Sequence, residues 1–371
     1  MKDILIIGGG LGGLITSICL ADKGYNVLVI EKKEYPFHKV CGEYISNEVK
    51  PFLQSIGLNL ADLCPSEISR LKVTSPLGAE VNMQLDLGGF GLSRYTLDRA
   101  LYELAKSKGV SFLLKGQVED VNFEGDSFNI KLQDGSEHYA RIVVGSFGKR
   151  SNLDRQLNRK FFFKRSPYIG VKYHIRTEFP DDLIALHNFK DGYCGISKIE
   201  DNKYCLCYLS SRNNLKDHGN IDEMEKEVLF RNRHLKYIFE NSDFLYKKPE
   251  VINEISFEKK EAVSNHLLFC GDAAGMISPL CGNGMAMAIH SAKILSELIS
   301  IHFVKSSLDR QLLEAQYSSK WNELFSTRLF VGRQIQKLFG QDLMTELSIR
   351  FLNSAKPVSR QLIKMTHGKP F

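Results

Sequence analysis

Read for its apolar positions, the chain opens on a short unbroken run at residues 4–7, closed off by glycines. Such a run suits a strand buried on both faces of a parallel sheet. Leu14, Ile15, Ile18 and Leu20 then recur at helical spacing, and residues 27–30 form a second unbroken run. The pattern predicts strand, helix, strand. From 110 to 148 the chain reads as strand throughout, with turns at Glu124-Gly125-Asp126 and Gln133-Asp134-Gly135. Its last strand, 141–144, returns to the apolar signature of the parallel sheet. Residues 168–209 predict a second, antiparallel region, with hairpin turns at Lys190-Asp191-Gly192 and Glu200-Asp201-Asn202. Part of 71–91 is expected to join it. Residues 220–246 read as charged helix.

Beyond Ile294 the prediction is helix almost to the end. Gly332 and Gly340 are expected at bends or ends, and Pro357 is the first proline after Pro279. Leu329, Phe330, Ile335, Leu338 and Phe339 recur at near-helical spacing, followed by Leu343, Leu347, Phe351 and Leu352. Arg328, Arg333, Lys337, Arg350, Lys356, Arg360 and Lys364 lie among or after them. The favoured reading is a helical cap whose apolar stripe packs on the body. The alternative is weak contact of these helices with an anionic membrane.

A chain of 371 residues can bury a large core and is expected to form two interleaved domains. The net charge of +6 is too slight and scattered to suggest a nucleic-acid partner. Eight cysteines without zinc-type pairs read as reduced thiols. Cys205 and Cys207 share one strand face and read as packing residues. No His, Asp or Glu cluster has metal-ligand spacing, so no metal is expected. Neither a secretory signal nor a membrane-spanning run is legible, and the cytoplasm is the expected compartment.

The first glycines carry candidate chemistry. Gly8, Gly10 and Gly13 stand in G-x-G-x-x-G spacing between strand and helix, and Glu31 ends the second strand. The first glycine allows a tight turn, the second a close approach of diphosphate, and the third close packing of helix on strand. The helix N-terminus favours phosphate charge. Glu31 can accept from a ribose 2′-hydroxyl. This set predicts a site for the ADP half of a dinucleotide. Far downstream, residues 267–292 read LLFCGDAAGMISPLCGNGMAMAIHSA.

Taken together, these segments resemble the flavoprotein superfamily with the para-hydroxybenzoate hydroxylase fold, most closely its geranylgeranyl reductase-like branch. The resemblance covers about residues 1–300. It implies FAD as cofactor. Gly8, Gly10, Gly13 and Glu31 match the ADP-binding fingerprint. Arg94, in RYTLDRAL, matches an arginine near the FAD phosphates and ribityl chain, while Asp98 reads as structural. Gly271 and Asp272 match the motif whose aspartate binds ribityl hydroxyls. Pro279, Gly282, Asn283 and Gly284 match the loop along the isoalloxazine ring, where amides of a helix starting near Met285 would face the N1 and O2 edge. Gly275 stands where hydroxylases usually carry histidine. Cys41 and Gly42, in PFHKVCGEYIS, match a segment near flavin and substrate. Cys41 is the candidate catalytic residue, with a small buried thiol as the other reading. Glu43 reads as a polar turn residue, with a ring-side acid as the alternative.

Two segments depart from that pattern. In GSFGKRS, Phe147 occupies the place of an aspartate associated with NAD(P)H, which points to a separate electron donor, a reductase or ferredoxin-like protein. In GYCGIS, Gly195 stands where the reductase branch has tryptophan, and Tyr193, Gly195 and Ser197 share one face. The halogenase W-x-W-x-I-P motif is absent, because the one tryptophan is Trp321. His174 and His187 are candidate proton donors, with core histidines as the more ordinary reading.

The expected fold is α/β. A Rossmann-like FAD-binding domain, a parallel sheet with an inserted β-meander, takes residues 1–70, 92–155 and 255–300. An antiparallel-sheet substrate domain takes 71–91 and 156–254, and a helical region takes 301–371. The expected function is FAD-dependent hydride transfer to an apolar isoprenoid, lipid or polyketide-like substrate. The alternatives are an FAD monooxygenase acting on an aromatic or polyketide ring, and an FAD-binding protein without turnover.

Overall fold

The computed structural model describes residues 1–164, 166–304, 307–338 and 341–371. The unbroken apolar runs become adjacent parallel strands. Lys2–Ile7 lies between Val27–Glu31 and Glu137–Gly145, with Ile4 opposite both Val27 and Ile142. Ser111–Leu114 and Leu267–Phe269 extend this sheet in parallel on either side. Each strand is covered on both faces, which explains the unbroken apolar runs. Val118–Glu124 and Ser127–Leu132 form the meander that returns into Glu137–Gly145. Its turn at Gly125 and Asp126 has positive φ at both residues, the geometry a tight hairpin requires. Helices Leu11–Ala21 and Gly284–His302 pack on this sheet and on each other, around the main core.

The second sheet is antiparallel except for one pair. Tyr168–Arg176, Tyr204–Ser211, Gly192–Lys198 and Leu183–Phe189 follow one another. Leu183–Phe189 then pairs in parallel with Ser66–Thr74, which continues into Glu80–Gly91 and the edge strand Tyr44–Ser46. Strand Ser66–Thr74 runs through the boundary expected at residue 70, and Tyr44–Ser46 crosses from the first unit to the second sheet.

Helices Arg310–Leu338, Asp342–Ser354 and Lys356–Thr366 follow. Gly332 does not end the helix. The long helix runs through it, and an added Cβ there would lie 3.0 Å from Ile277 Cγ1. It is a point of close approach. Phe339 and Gly340 lie outside the described residues. Among the described residues no helix is long and apolar enough to cross a membrane.

Candidate active site

The first strand ends in Gly8, whose φ of +100° turns the chain toward the helix at Leu11. A side chain at Gly8 would meet Ser146 O at 2.6 Å, and one at Gly13 would overlap Gly8 O. Gly10 differs. In front of its Cβ position, among the described residues, stand Lys39 Nζ at 3.7 Å and Arg94 Nη2 at 3.8 Å. The helix that starts here has no side-chain cap and no acid in its first turn. Free amides, room and two cations make a cradle that fits a diphosphate.

Asp98 holds both cations in place. It pairs with Lys39 at 2.9 Å and takes Arg94 in two bonds of 2.8 Å. Burial alone would raise this carboxyl, but Arg94 and Lys39 outweigh it and hold Asp98 below its ordinary range. Glu31 accepts from Gly9 N at 2.8 Å and Lys33 N at 3.0 Å, which fixes its carboxylate beside the cradle. Tyr35 donates to Gly9 O, so Gly9 must also lack a side chain.

The distant second motif packs directly on this first one. A Cβ at Gly12 would lie 2.9 Å from Cys270 Sγ. Gly271 then turns the chain with a φ of +63°. Asp272 follows, close enough to Arg94 for the guanidinium to feel its charge. Lys260, pushed down to about 8 chiefly by burial, donates to Asp272 O at 2.8 Å and to Lys149 O at 2.7 Å. The turn Pro279–Cys281 leads to Gly282, at φ +64°, where an added Cβ would meet the Tyr44 ring at 3.1 Å. Asn283 donates to Thr366 O at 2.7 Å. The helix Gly284–His302 starts immediately afterwards, again without a side-chain cap. The cradle, Asp272 and this uncapped helix end suit the ADP, ribityl and ring portions of FAD in that order.

Cys41 is half-buried, near enough to Arg94 and Lys172 to interact with both charges. Glu43 is not a polar turn residue. It is fully buried at a φ of +55°, in the left-handed region. Its carboxylate accepts from Lys172 Nζ at 2.5 Å and Arg94 N at 2.8 Å, and meets His174 Nε2 at 2.6 Å. Burial alone would raise it, yet Lys172 and His174 pull it down to about 2. From His174 Nδ1 the chain of bonds runs 2.7 Å to the Tyr246 hydroxyl, then 3.0 Å to His38 Nδ1. Cys205 donates to Cys41 O at 3.3 Å. Glu43, His174 and Cys205 bring ligand-type atoms within 4.8 Å of one another, a grouping hidden by their separation along the chain. Lys172 already fills the cationic place in it. His187 is a core histidine, bonded to Thr74 Oγ1 at 2.8 Å and driven down to about 3 chiefly by burial.

Beside the 279–284 loop lies a cavity of about 460 Å³. Leu71, Met83 and Leu186 wall it from the second sheet, and Leu347, Phe351 and Ile363 from the last helices. No charged residue lines it among those described. Gly195 leaves the space a large side chain would take, and Leu186 moves up to 3.4 Å from its Cβ position. Lys39, Tyr44, Lys172 and Lys260 were not singled out in the sequence. Lys172 and Lys260 stand outside any spaced motif, and Lys39 and Tyr44 lie within PFHKVCGEYIS but not at its defining positions.

The family described as FAD binding domain matches residues 1–320. The chain belongs to that family, and it is an FAD-dependent oxidoreductase with the para-hydroxybenzoate hydroxylase fold. It is 24% identical to digeranylgeranylglycerophospholipid reductase 1 of Methanococcoides burtonii, over 91% of this chain and 83% of that protein. It is 26% identical to the menaquinone reductase of Mycobacterium tuberculosis H37Rv, over 48% of this chain and 46% of that one. In shape it is similar to a triple mutant of the flavin-dependent brominase Bmp2. The TM-score is 0.80 at 20% identity, over 99% of this chain and 96% of the other. That likeness concerns the fold.

Proposed function

We propose that this oxidoreductase saturates a carbon–carbon double bond in an apolar substrate of isoprenoid, lipid or polyketide-like class. The observation that carries the reading is the cavity beside the 279–284 loop, walled by apolar side chains with no charge among the described residues that line it. Two relatives named as reductases of apolar molecules support it. FAD, when bound, supplies a hydride at N5. The chain's own residues do the rest. Amides at Gly10, with Lys39 and Arg94, hold the diphosphate, Glu31 the ribose, and Asp272 with Gly271 the ribityl chain. Pro279, Gly282, Asn283 and Gly284 set the loop, whose uncapped helix end favours negative charge on the ring edge. Cys41, beside Arg94 and Lys172, would stand on the ring's side and not in the cavity wall. The apolar walls favour the carbon chain of the substrate over water.

A test is anaerobic incubation of the reduced enzyme with a polyprenyl substrate. The expected product gains a pair of hydrogens while the flavin reoxidises without oxygen. A product formed only in air and carrying a new oxygen atom would replace this reading with hydroxylation.

A separate electron donor belongs to the same proposal. Phe147 packs edge-on against Phe269 with ring centroids 5.9 Å apart, and offers NAD(P)H no acid at that turn. NADPH alone should reduce the flavin slowly in stopped flow; rapid reduction would remove the need for a partner. The proposal also includes peripheral membrane contact. Leu347 and Phe351 line the cavity, yet remain 54% and 57% exposed, beside Leu343 at 66%. An apolar substrate could pass there from lipid to flavin without crossing water.

A further inference from the structure

Strands Glu137–Gly145 and Leu267–Phe269 run side by side in parallel, and Cys270 N still bonds Gly145 O at 3.0 Å as they end. Each then gives way to a turn, one carrying Lys149 and the other Asp272. Lys260, from the segment between strands Glu250–Ile255 and Val263–Ser264, bridges these turns. Its Nζ donates to Lys149 O at 2.7 Å and to Asp272 O at 2.8 Å. The side chain is buried, with Nζ 4.3 Å from the centre of the Phe161 ring. An ammonium has three protons, and two of these go to backbone carbonyls rather than to a carboxylate. A buried cation used in this way ties two stretches of backbone together.

What it ties matters for the cofactor. The Asp272 side chain is half-buried and makes no hydrogen bond or ion pair to any described residue. Its carboxylate is thus available to a ligand, and its aim is set by the backbone that carries it. Gly271 bonds through its N–H to Ser291 Oγ at 3.1 Å, and Lys260 fixes the Asp272 carbonyl on the other side. The charges acting on Nζ are Asp154 and Asp272, which favour the ammonium, and Arg159 and Lys149, which oppose it. Burial outweighs them all, so the ammonium gives up its proton near pH 8. A neutral amine donates more weakly than an ammonium, and the tie loosens.

We propose that Lys260 is a positioning residue of the FAD site, whose ammonium holds the Asp272 turn so that the carboxylate meets the ribityl hydroxyls. This rests on the role given to Asp272 above and is independent of the substrate.

The test is FAD dissociation from the loaded protein, followed by flavin fluorescence. Lys260→Met should weaken FAD about tenfold, the scale of one charge-assisted hydrogen bond. Lys259→Met removes the same charge from the exposed neighbour and should leave FAD affinity unchanged. If Lys260 acts through Asp272, adding Lys260→Met to Asp272→Ala should cost little more than Asp272→Ala alone. The ammonium makes the stronger tie, so wild-type affinity should be full below about pH 8 and fall as pH rises through it. Lys260→Met should show no such step, and Asp272→Ala a smaller one. These two pH profiles, wild type and Asp272→Ala, decide the matter if Lys260→Met fails to fold. Wild-type affinity in Lys260→Met, a flat wild-type profile, or an undiminished loss in the double variant would overturn the assignment. If Asp272→Ala alone binds FAD like wild type, the Asp272 role falls and this inference with it, while the apolar-substrate reading stands.

Discussion

Glu43 takes three donors at once, from Lys172, His174 and the Arg94 backbone, with no contact to water. The two side-chain partners are 129 and 131 residues away along the chain, so no local spacing could announce the cluster. Nor does composition help, since a Glu after Cys-Gly looks the same in a turn. The consequence can be measured. Glu43→Gln leaves the Lys172 ammonium buried without its counter-ion, and should destabilise the fold by about 3–5 kcal/mol in urea unfolding. The pH dependence has a definite sign. A carboxyl whose folded value is depressed to about 2 adds stability that is complete above its ordinary value of 4.5 and fades as pH falls between them. The wild type should lose this increment across that window and Glu43→Gln should not. Parallel acid limbs would show that Glu43 does not carry the charge. Asp272, by contrast, is marked in the sequence, because its Gly-Asp pair follows an apolar strand. Asp272→Ala should weaken FAD binding by about 1–3 kcal/mol. Unchanged affinity by flavin-release titration would remove its assigned role.

At the scale of elements, the parallel strands and their glycine turn were readable because each rule is local. An unbroken apolar run gives a doubly covered strand, and a glycine at φ +100° gives the turn. Packing between elements was not readable. Gly332 looked like a breaker, since glycine in a helix interior costs about 1 kcal/mol relative to alanine. The structure retains the helix there and uses the missing side chain to seat Ile277. Gly275 is a related case. Its Cβ position lies 3.1 Å from Leu329 Cδ1 and 3.3 Å from Trp321 Cζ2, both on the helix Arg310–Leu338. The histidine found here in hydroxylases of this fold has no room unless that helix moves. Gly275→His should therefore cost about 1–3 kcal/mol by overpacking. Trp321, the one tryptophan in the chain, reports on the same contact. A shift in its emission should accompany the loss. A variant with wild-type stability and emission would mean that the helix yields freely.

For the whole molecule, the question is why apolar side chains of the last helices are left outside. Their sequence stripe fits a cap on the body, and part of it does pack inward, with Leu329 and Ile335 against the core, while Ile349, which the stripe did not include, is fully buried. Leu343, Leu347 and Phe351 do not, and the stripe alone could not tell which of its members face out. Spacing defines a face, but only the packed body decides how wide that face must be. Scattered exposed leucines need no explanation, whereas these residues cluster, and Leu347 and Phe351 also line the cavity. Lys356 and Arg360 are exposed on the next helix, and Arg350 is 70% exposed although paired with Glu346. Basic and apolar side chains together favour an anionic bilayer surface. The expected outcome is co-sedimentation with anionic liposomes at low salt, weakening as salt rises. Leu347→Asp with Phe351→Asp should reduce it at least about tenfold, because partial burial of two such side chains contributes about 1.5–3 kcal/mol. FAD content should stay unchanged, since neither residue touches the cradle. If wild type and double variant sediment alike, or neither binds, the outward side chains belong to the cavity wall alone.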